Sequence, residues 1–231
     1  MARKDKAHIF QLRNRNLISL TAPKSPITEQ FRTVRTSIEF SSVDKDLSSI
    51  VVTSPSPGEG KSTITANLAI VFAQQGKRVL LIDTDLRKPT VHYTFHMENL
   101  VGITNILTKQ ATLGQAVQAT GQENLQILTS GPIPPNPSEL LSSKSMKNLL
   151  ETAKNEYDLV IFDTPPVLAV TDAQILSHLT DGVVLVISSE NTQKDSAKKA
   201  KELLESAQAK LLGVVLNNKK EEDNLYYYYG K

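Results

Sequence analysis

Apolar residues gather along this chain in six short runs, and the stretches between them carry helical periodicity. The runs are Ile50-Val51-Val52-Thr53-Ser54, Val79-Leu80-Leu81-Ile82-Asp83, Leu125-Gln126-Ile127-Leu128, Leu159-Val160-Ile161-Phe162-Asp163, Val183-Val184-Leu185-Val186-Ile187 and Leu212–Leu216. Such runs lack the in–out alternation of a half-exposed strand, so they predict strands buried on both faces. Helices are predicted over 27–40, where Pro26 suits the start and Ser25 or Thr28 the cap, and over 61–75, 143–155, 172–178 and 194–207. In the second of these, Ile64, Leu68, Val71 and Phe72 fall on one face, and Gly76 follows as a helix-ending glycine. Short helical pieces are expected near 103–107 and 113–119. Residues 131–137, with prolines at 132, 134, 135 and 137, read as a stiff loop. Strands alternating with helices predict an α/β fold, a mostly parallel sheet covered on both faces. The expected division is a basic N-terminal arm over 1–25, one domain over 26–217 and a tail over 218–231.

At the end of the first run the chain reads Ser54-Pro55-Ser56-Pro57-Gly58-Glu59-Gly60-Lys61-Ser62-Thr63, a strand-to-helix turn. Glycines there let backbone N–H groups approach a phosphate, and the helix N-terminus adds unpaired donors and partial positive charge. Lys61 is placed to reach β- and γ-phosphates and the Ser62 hydroxyl to bind Mg²⁺. Pro57, Gly58, Glu59, Gly60, Lys61, Ser62 and Thr63 are therefore the expected ATP-binding loop. The strict P-loop pattern would have glycine where this chain has Pro55, which points to a specialised P-loop subgroup.

Two of the buried runs end in aspartate, Asp83 and Asp163, and Asp85 follows the first. In an open parallel sheet, ligands bind beyond the carboxyl ends of the strands, so all three are expected beside the phosphates. A Mg·ATP site needs carboxylates there for metal-bound water and for the nucleophile's proton. Asp83 is expected as base, with Lys61 stabilising the transferring phosphoryl group. Ser62, Asp85 and Asp163 are expected around Mg²⁺. Arg87 and Lys88 either steady phosphate or an acidic substrate, or are ordinary surface charges. Asn217 either contacts adenine or caps a turn.

Composition narrows the classes. A net charge of +2 with 22% charged residues does not call for nucleic acid, and the absence of cysteine excludes disulfides and thiolate metal sites. No apolar run approaches the ~20 residues of a membrane span, and no signal peptide is expected, so the chain is expected in the cytoplasm. The basic arm is either solvated or in weak contact with an anionic membrane face. Four of the six tyrosines are consecutive, Tyr226-Tyr227-Tyr228-Tyr229. Consecutive residues do not share one buried face, so they read as phosphoacceptors or as an accidental tail. Each phosphate would add about −1.5 to −2 charge. Glu29, Arg32 and Arg35 lie at i, i+3 and i+6 on the first helix, either pairing within it or making a subunit contact.

Together these stretches resemble the bacterial tyrosine kinases of capsular and exopolysaccharide synthesis, in the Gram-positive form with a separate membrane activator. The likeness rests on Glu29-Gln30-Phe31-Arg32-Thr33-Val34-Arg35, the loop at 54–63, Leu81 to Pro89, Gly131 to Pro137, Ile161 to Pro166 and the terminal tyrosines. It implies a P-loop fold of the deviant Walker A subgroup, with Lys61, Ser62 and Thr63 in Walker A, Asp83 and Asp85 in Walker A′ and Asp163 in Walker B. It implies transfer of the ATP γ-phosphate to Tyr226–Tyr229 in trans, within a ring of subunits joined through Glu29, Arg32 and Arg35. It further implies control of polysaccharide synthesis and chain length, and recruitment to the inner face of the membrane by a polysaccharide co-polymerase. A cognate tyrosine phosphatase and other protein substrates belong to the same picture. The related partitioning ATPases carry a second lysine where this chain has Ser56, which disfavours that reading. A membrane-associated ATPase switch without kinase activity is the alternative.

Overall fold

The computed structural model describes residues 17–41 and 47–219. In chain order the elements are α1 (Ile18–Thr21), α2 (Pro26–Phe40), β1 (Ser49–Thr53), α3 (Lys61–Gln74), β2 (Val79–Asp83), α4 (Val91–Thr94), α5 (Ile103–Leu107), α6 (Leu113–Ala116), β3 (Val117–Ala119) and β4 (Leu125–Leu128). There follow α7 (Pro137–Leu141), α8 (Lys144–Glu156), β5 (Leu159–Asp163), α9 (Asp172–Leu179), β6 (Gly182–Ser188), α10 (Lys194–Ser206) and β7 (Leu211–Asn217).

The strands form one sheet in the order β3-β4-β2-β5-β1-β6-β7. Every pairing is parallel except β3 with β4. Alternate side chains feed two cores. Val51, Leu80, Ile82 and Phe162 face Met146, Leu150, Leu176 and Leu204 on one side. Ile50, Val52, Leu81 and Ile161 face Phe31, Ile38, Leu68 and Phe72 on the other. Each fully buried side chain of this size stabilises the fold by about 1.5–3 kcal/mol.

Helix α3 lies between α2 and the sheet, which changes the one-face reading of its sequence. Ala66, Ala69, Ile70 and Ala73 are buried along with Ile64, Leu68, Val71 and Phe72. Asn67, fully buried, donates to Thr63 O (2.9 Å) and accepts from Ser19 N (2.9 Å). That second bond corrects the expected arm. Residues 17–25 fold onto the domain, with Leu17 and Ile18 packed against the core and Ser25 capping α2 through Thr28 N (3.1 Å). Residues 1–16, like the tyrosine cluster, lie outside the described residues.

Three further differences are local. The piece expected as helix over 113–119 is one turn followed by the edge strand β3. Pro137 opens α7 instead of closing the loop before it, and α4 forms after the Asp83 turn. Among the described residues no helix is long and apolar enough to cross a membrane.

Candidate active site

Strand β1 ends against the turn 54–60, and Gly60 caps α3 with φ +89°, a left-handed conformation that favours glycine. Gly58 also has positive φ. The first main-chain bond closing α3 runs from Ile64 N to Gly60 O (3.0 Å), so the amides ahead of it have no intrahelical partner and are donors for a phosphate. The loop is braced by side chains. Glu59, 2% exposed, accepts from Ser56 N (3.2 Å) and from Thr192 Oγ1 (2.7 Å). Asn217, the last residue of β7, donates from Nδ2 to Glu59 O (2.9 Å). Its side chain lies where a Cβ on Gly60 would project, 2.2 Å from that position. The sequence left Asn217 between adenine contact and turn cap; the structure commits its amide nitrogen to holding the loop.

The three aspartates converge on this end. Adjacent strands β2 and β5 bring Asp83 and Asp163 into register as direct partners. Lys61 Nζ sits 3.4 Å from Asp85 Oδ2, 3.5 Å from Asp163 Oδ1 and 3.2 Å from Ser62 Oγ. Thr65 Oγ1 also lies 3.5 Å from Asp163 Oδ1, and Asp163 Oδ2 is buried with no hydrogen-bond partner. Thr90 Oγ1 lies 3.4 Å from Ser62 Oγ.

Asp83 is fully buried. Its Oδ2 accepts from Thr90 N and Val91 N, both at 2.9 Å, and its Oδ1 from Asp85 N at 3.2 Å. The carboxylate thereby pins the whole turn 84–91. Burial, reinforced by the charge of Asp163, raises its pKa from the ordinary carboxylate range to about 7, against the opposing pull of the Val91 amide. Asp85, 7% exposed, accepts from Lys88 N at 3.0 Å. It is the most exposed of the three aspartates.

Arg87 is held in a network that sequence spacing did not reveal. Its Nε and Nη2 donate to Asp172 at 3.0 and 3.1 Å, and Nη2 also donates to Ser138 Oγ at 2.9 Å. The buried Asp172 carboxylate raises the guanidinium pKa further. So Arg87 ties the turn after Asp85 to the first turns of α7 and α9. Thr90, Thr192, Asp172 and Ser138 were likewise invisible as site residues, because lone polar residues in loops and first helical turns carry no periodicity of their own.

Lys61 stands where a cation belongs, between the hydroxyl and two carboxylates expected around Mg²⁺. Asp163 Oδ2, buried and unsatisfied, adds a vacant acceptor there, so the donor set fits a divalent cation. Among the described residues no three His, Cys, Asp or Glu side chains form a self-sufficient metal cage.

Of the expected subunit-contact residues, Glu29 and Arg32 form an ion pair within α2. Arg35 instead reaches into the fold, donating from Nη1 to Val71 O (2.9 Å). The structure therefore does not present the three as one outward set.

Residues 47–213 match the family model described as an AAA domain. The chain is 62% identical over 203 residues to the tyrosine-protein kinase YwqD of Bacillus subtilis (strain 168), covering 88% of this chain and 86% of that one. Among solved structures, the chimerical protein CapA2B2 superposes with a TM-score of 0.86 at 51% identity, covering 89% of this chain and 90% of that one. The kinase domain of the Escherichia coli tyrosine kinase ETK superposes at 0.83 with 32% identity, over 94% and 85% of the two chains. With the P-loop, the paired strand-end aspartates and these relatives in agreement, the chain belongs to the bacterial tyrosine-protein kinases.

Proposed function

We propose that this kinase transfers the γ-phosphate of ATP to Tyr226–Tyr229 of a neighbouring copy, and so regulates capsular or exopolysaccharide synthesis and chain length. The observation that carries this reading is Lys61, set between Asp85 and Asp163 with Ser62 at the head of α3. A cation held by carboxylates at a phosphate-binding helix terminus is poised to exchange them for phosphate oxygens.

The N-terminal amides of α3 and the Lys61 ammonium orient the triphosphate and offset the charge on the transferring group. Ser62, Asp85 and Asp163 are the residues to hold Mg²⁺, which when bound neutralises phosphate charge. Tyrosine, with an ordinary pKa near 10, needs a proton acceptor at neutral pH. Asp83 takes that proton, its raised pKa matching the task. Because Asp83 is fully buried, transfer to it requires the 84–91 turn to move. The Tyr Oη–P bond forms as the bond to ADP breaks.

A cytoplasmic segment of a membrane polysaccharide co-polymerase is the proposed activator and the means of recruitment to the inner membrane face. A homo-oligomeric ring, a cognate tyrosine phosphatase and further protein substrates complete the proposal. Likeness to a chimerical protein, CapA2B2, supports a two-component arrangement. Glu29, exposed, and Arg32, half-buried and paired with it, are the part of the set left to a neighbour, whereas Arg35 contributes by fixing α2 on α3.

The test is mass spectrometry for phosphotyrosine after incubating wild-type and Lys61→Met chains with ATP, Mg²⁺ and an activator fragment. Phosphate on Tyr226–Tyr229 in the wild type and none in the variant is expected. Undiminished phosphotyrosine in Lys61→Met would remove the assignment to this site.

A further inference from the structure

Beyond the end of β4 two loops are fastened side by side. Asn99 donates to Ser130 Oγ (3.0 Å) and Gly131 O (3.2 Å), and its Oδ1 accepts from Gly131 N (2.8 Å). Ile103 N and Thr104 N donate to Thr129 O and Ser130 O. From this platform Leu100, Val101 and Ile133 stand 73%, 41% and 63% exposed. Large aliphatic side chains grouped at adjoining loop tips mark a surface that something covers. The platform runs on into α7, whose Ser138 takes the hydrogen bond from Arg87. Beside Arg87 is Lys88, exposed, whose amide is on Asp85. The loop that carries Ile133 is thus tied, through Ser138 and Arg87, to the turn that carries Lys88 and Asp85.

We propose that this surface docks the terminal segment Glu221–Tyr229 of a second copy. Leu225 and the tyrosines would cover Leu100, Val101 and Ile133, and Glu221, Glu222 and Asp223 would lie near Arg87 and Lys88. The proposal deepens the kinase reading above and rests on it. Two observations select this occupant. The segment places three acids directly before an apolar and aromatic run, complementary to a basic pair beside an aliphatic patch. Reach then favours another copy's segment. β7 lies five strand positions from β4 in the sheet, about 24 Å at the usual ~4.8 Å spacing. From Asn218 to Tyr226 the chain advances eight residues, at most about 29 Å fully extended. That length spans the gap for Tyr226, but Arg87 follows β2, four strand positions from β7, about 19 Å, whereas Glu221 lies three residues past Asn218, at most about 11 Å away. A chain that brings its own Tyr226 to the patch leaves Glu221 short of the basic pair, and a neighbour's segment meets both.

The experiment pairs two full-length chains, with the activator fragment present throughout. The kinase copy has Tyr226–Tyr229 each changed to Phe, and the acceptor copy carries Lys61→Met. Phosphotransfer is measured against acceptor concentration. Leu100→Ser with Ile133→Ser, both exposed positions, placed in the kinase copy should raise the KM for acceptor on the order of tenfold. The kcat and the KM for ATP should not change. The same pair in the acceptor copy should have no effect. Lys88→Glu in the kinase copy should also raise the acceptor KM, and Glu222→Lys in the acceptor should recover part of it. An unchanged acceptor KM in the patch variant overturns the docking surface while leaving the kinase reading standing. So does a variant that loses only its response to the activator, because the patch then belongs to the activator. No transfer from the unsubstituted kinase copy overturns both.

Discussion

Substituting Gly60 by Ala tests whether the phosphate loop and the last strand are one mechanical unit. Two costs are expected. Alanine at φ +89° costs about 1–2 kcal/mol. The new Cβ, 2.2 Å from Asn217 Nδ2, also displaces that amide and breaks its 2.9 Å bond to Glu59 O, costing about 1 kcal/mol. Gly60→Ala should therefore lose about 2–3 kcal/mol, and Asn217→Ala alone about 1 kcal/mol. In the double variant the lost bond counts once and the clash is gone, so the loss should fall short of the sum by about 1 kcal/mol. Urea unfolding of the nucleotide-free chain measures this, provided the slope is constant across the four proteins. Additivity within ~0.3–0.5 kcal/mol would refute the coupling, and with it the claim that Asn217 holds the loop.

Three further outcomes are expected. Arg87→Ala leaves the fully buried Asp172 with Ser138 as its remaining partner. It should destabilise the fold by about 1–3 kcal/mol, a range discounted for the partly exposed guanidinium. Arg87→Lys, lacking the two-pronged geometry, should recover little of this in thermal melts. Nucleotide-free stability should carry a falling contribution from Asp83 as pH rises from about 4 to about 7, because its folded pKa is raised to about 7. The folded state then binds the extra proton, so the contribution is complete below the ordinary carboxylate value and lost through pH 7. Melting Asp83→Asn across this range should show a flatter profile. Thr192→Val removes the donor to Glu59 and the acceptor for Ser188 N, and should weaken ATP binding more than it lowers stability, as isothermal titration and melts would show.

How much of this was readable in the residues follows from burial. The central strands were legible because a parallel strand covered on both faces must be apolar throughout, and Ile50–Val52, Val79–Ile82 and Leu159–Phe162 are all buried. Val117–Ala119 was not, because an edge strand with half-exposed residues carries neither an apolar run nor an alternation long enough to detect. Helix α3 was found but its surroundings misjudged. Alanines are apolar yet small, and only the packing of α2 outside it shows that they are buried. The carboxylates were legible because a strand end in a parallel sheet fixes where a side chain goes. Their partners were not: Thr90 and Thr192 reach the site through turns, and Asp172 through the first turn of α9, whose courses depend on tertiary contacts. Residues 17–25 were assigned to the arm by charge, although Leu17 and Ile18 already gave that stretch something to bury.

The open edge of β7 constrains how copies can associate. No described strand pairs with its outer side, and Val214 and Leu216 are exposed along it, so two molecules meeting there could extend the sheet across the interface. A ladder joining the same edge of identical chains about a twofold axis is antiparallel. That symmetry would align the carboxyl end of one β7 with the amino end of the other. The two phosphate loops would then face opposite poles of the dimer, each β7 ending beside its own loop and far from its partner's. On the transfer in trans proposed above, edge-to-edge pairing would thus give a closed dimer that keeps the two sites apart, and head-to-tail contacts that leave this edge unpaired with its own kind would be the ones to bring a neighbour to the site.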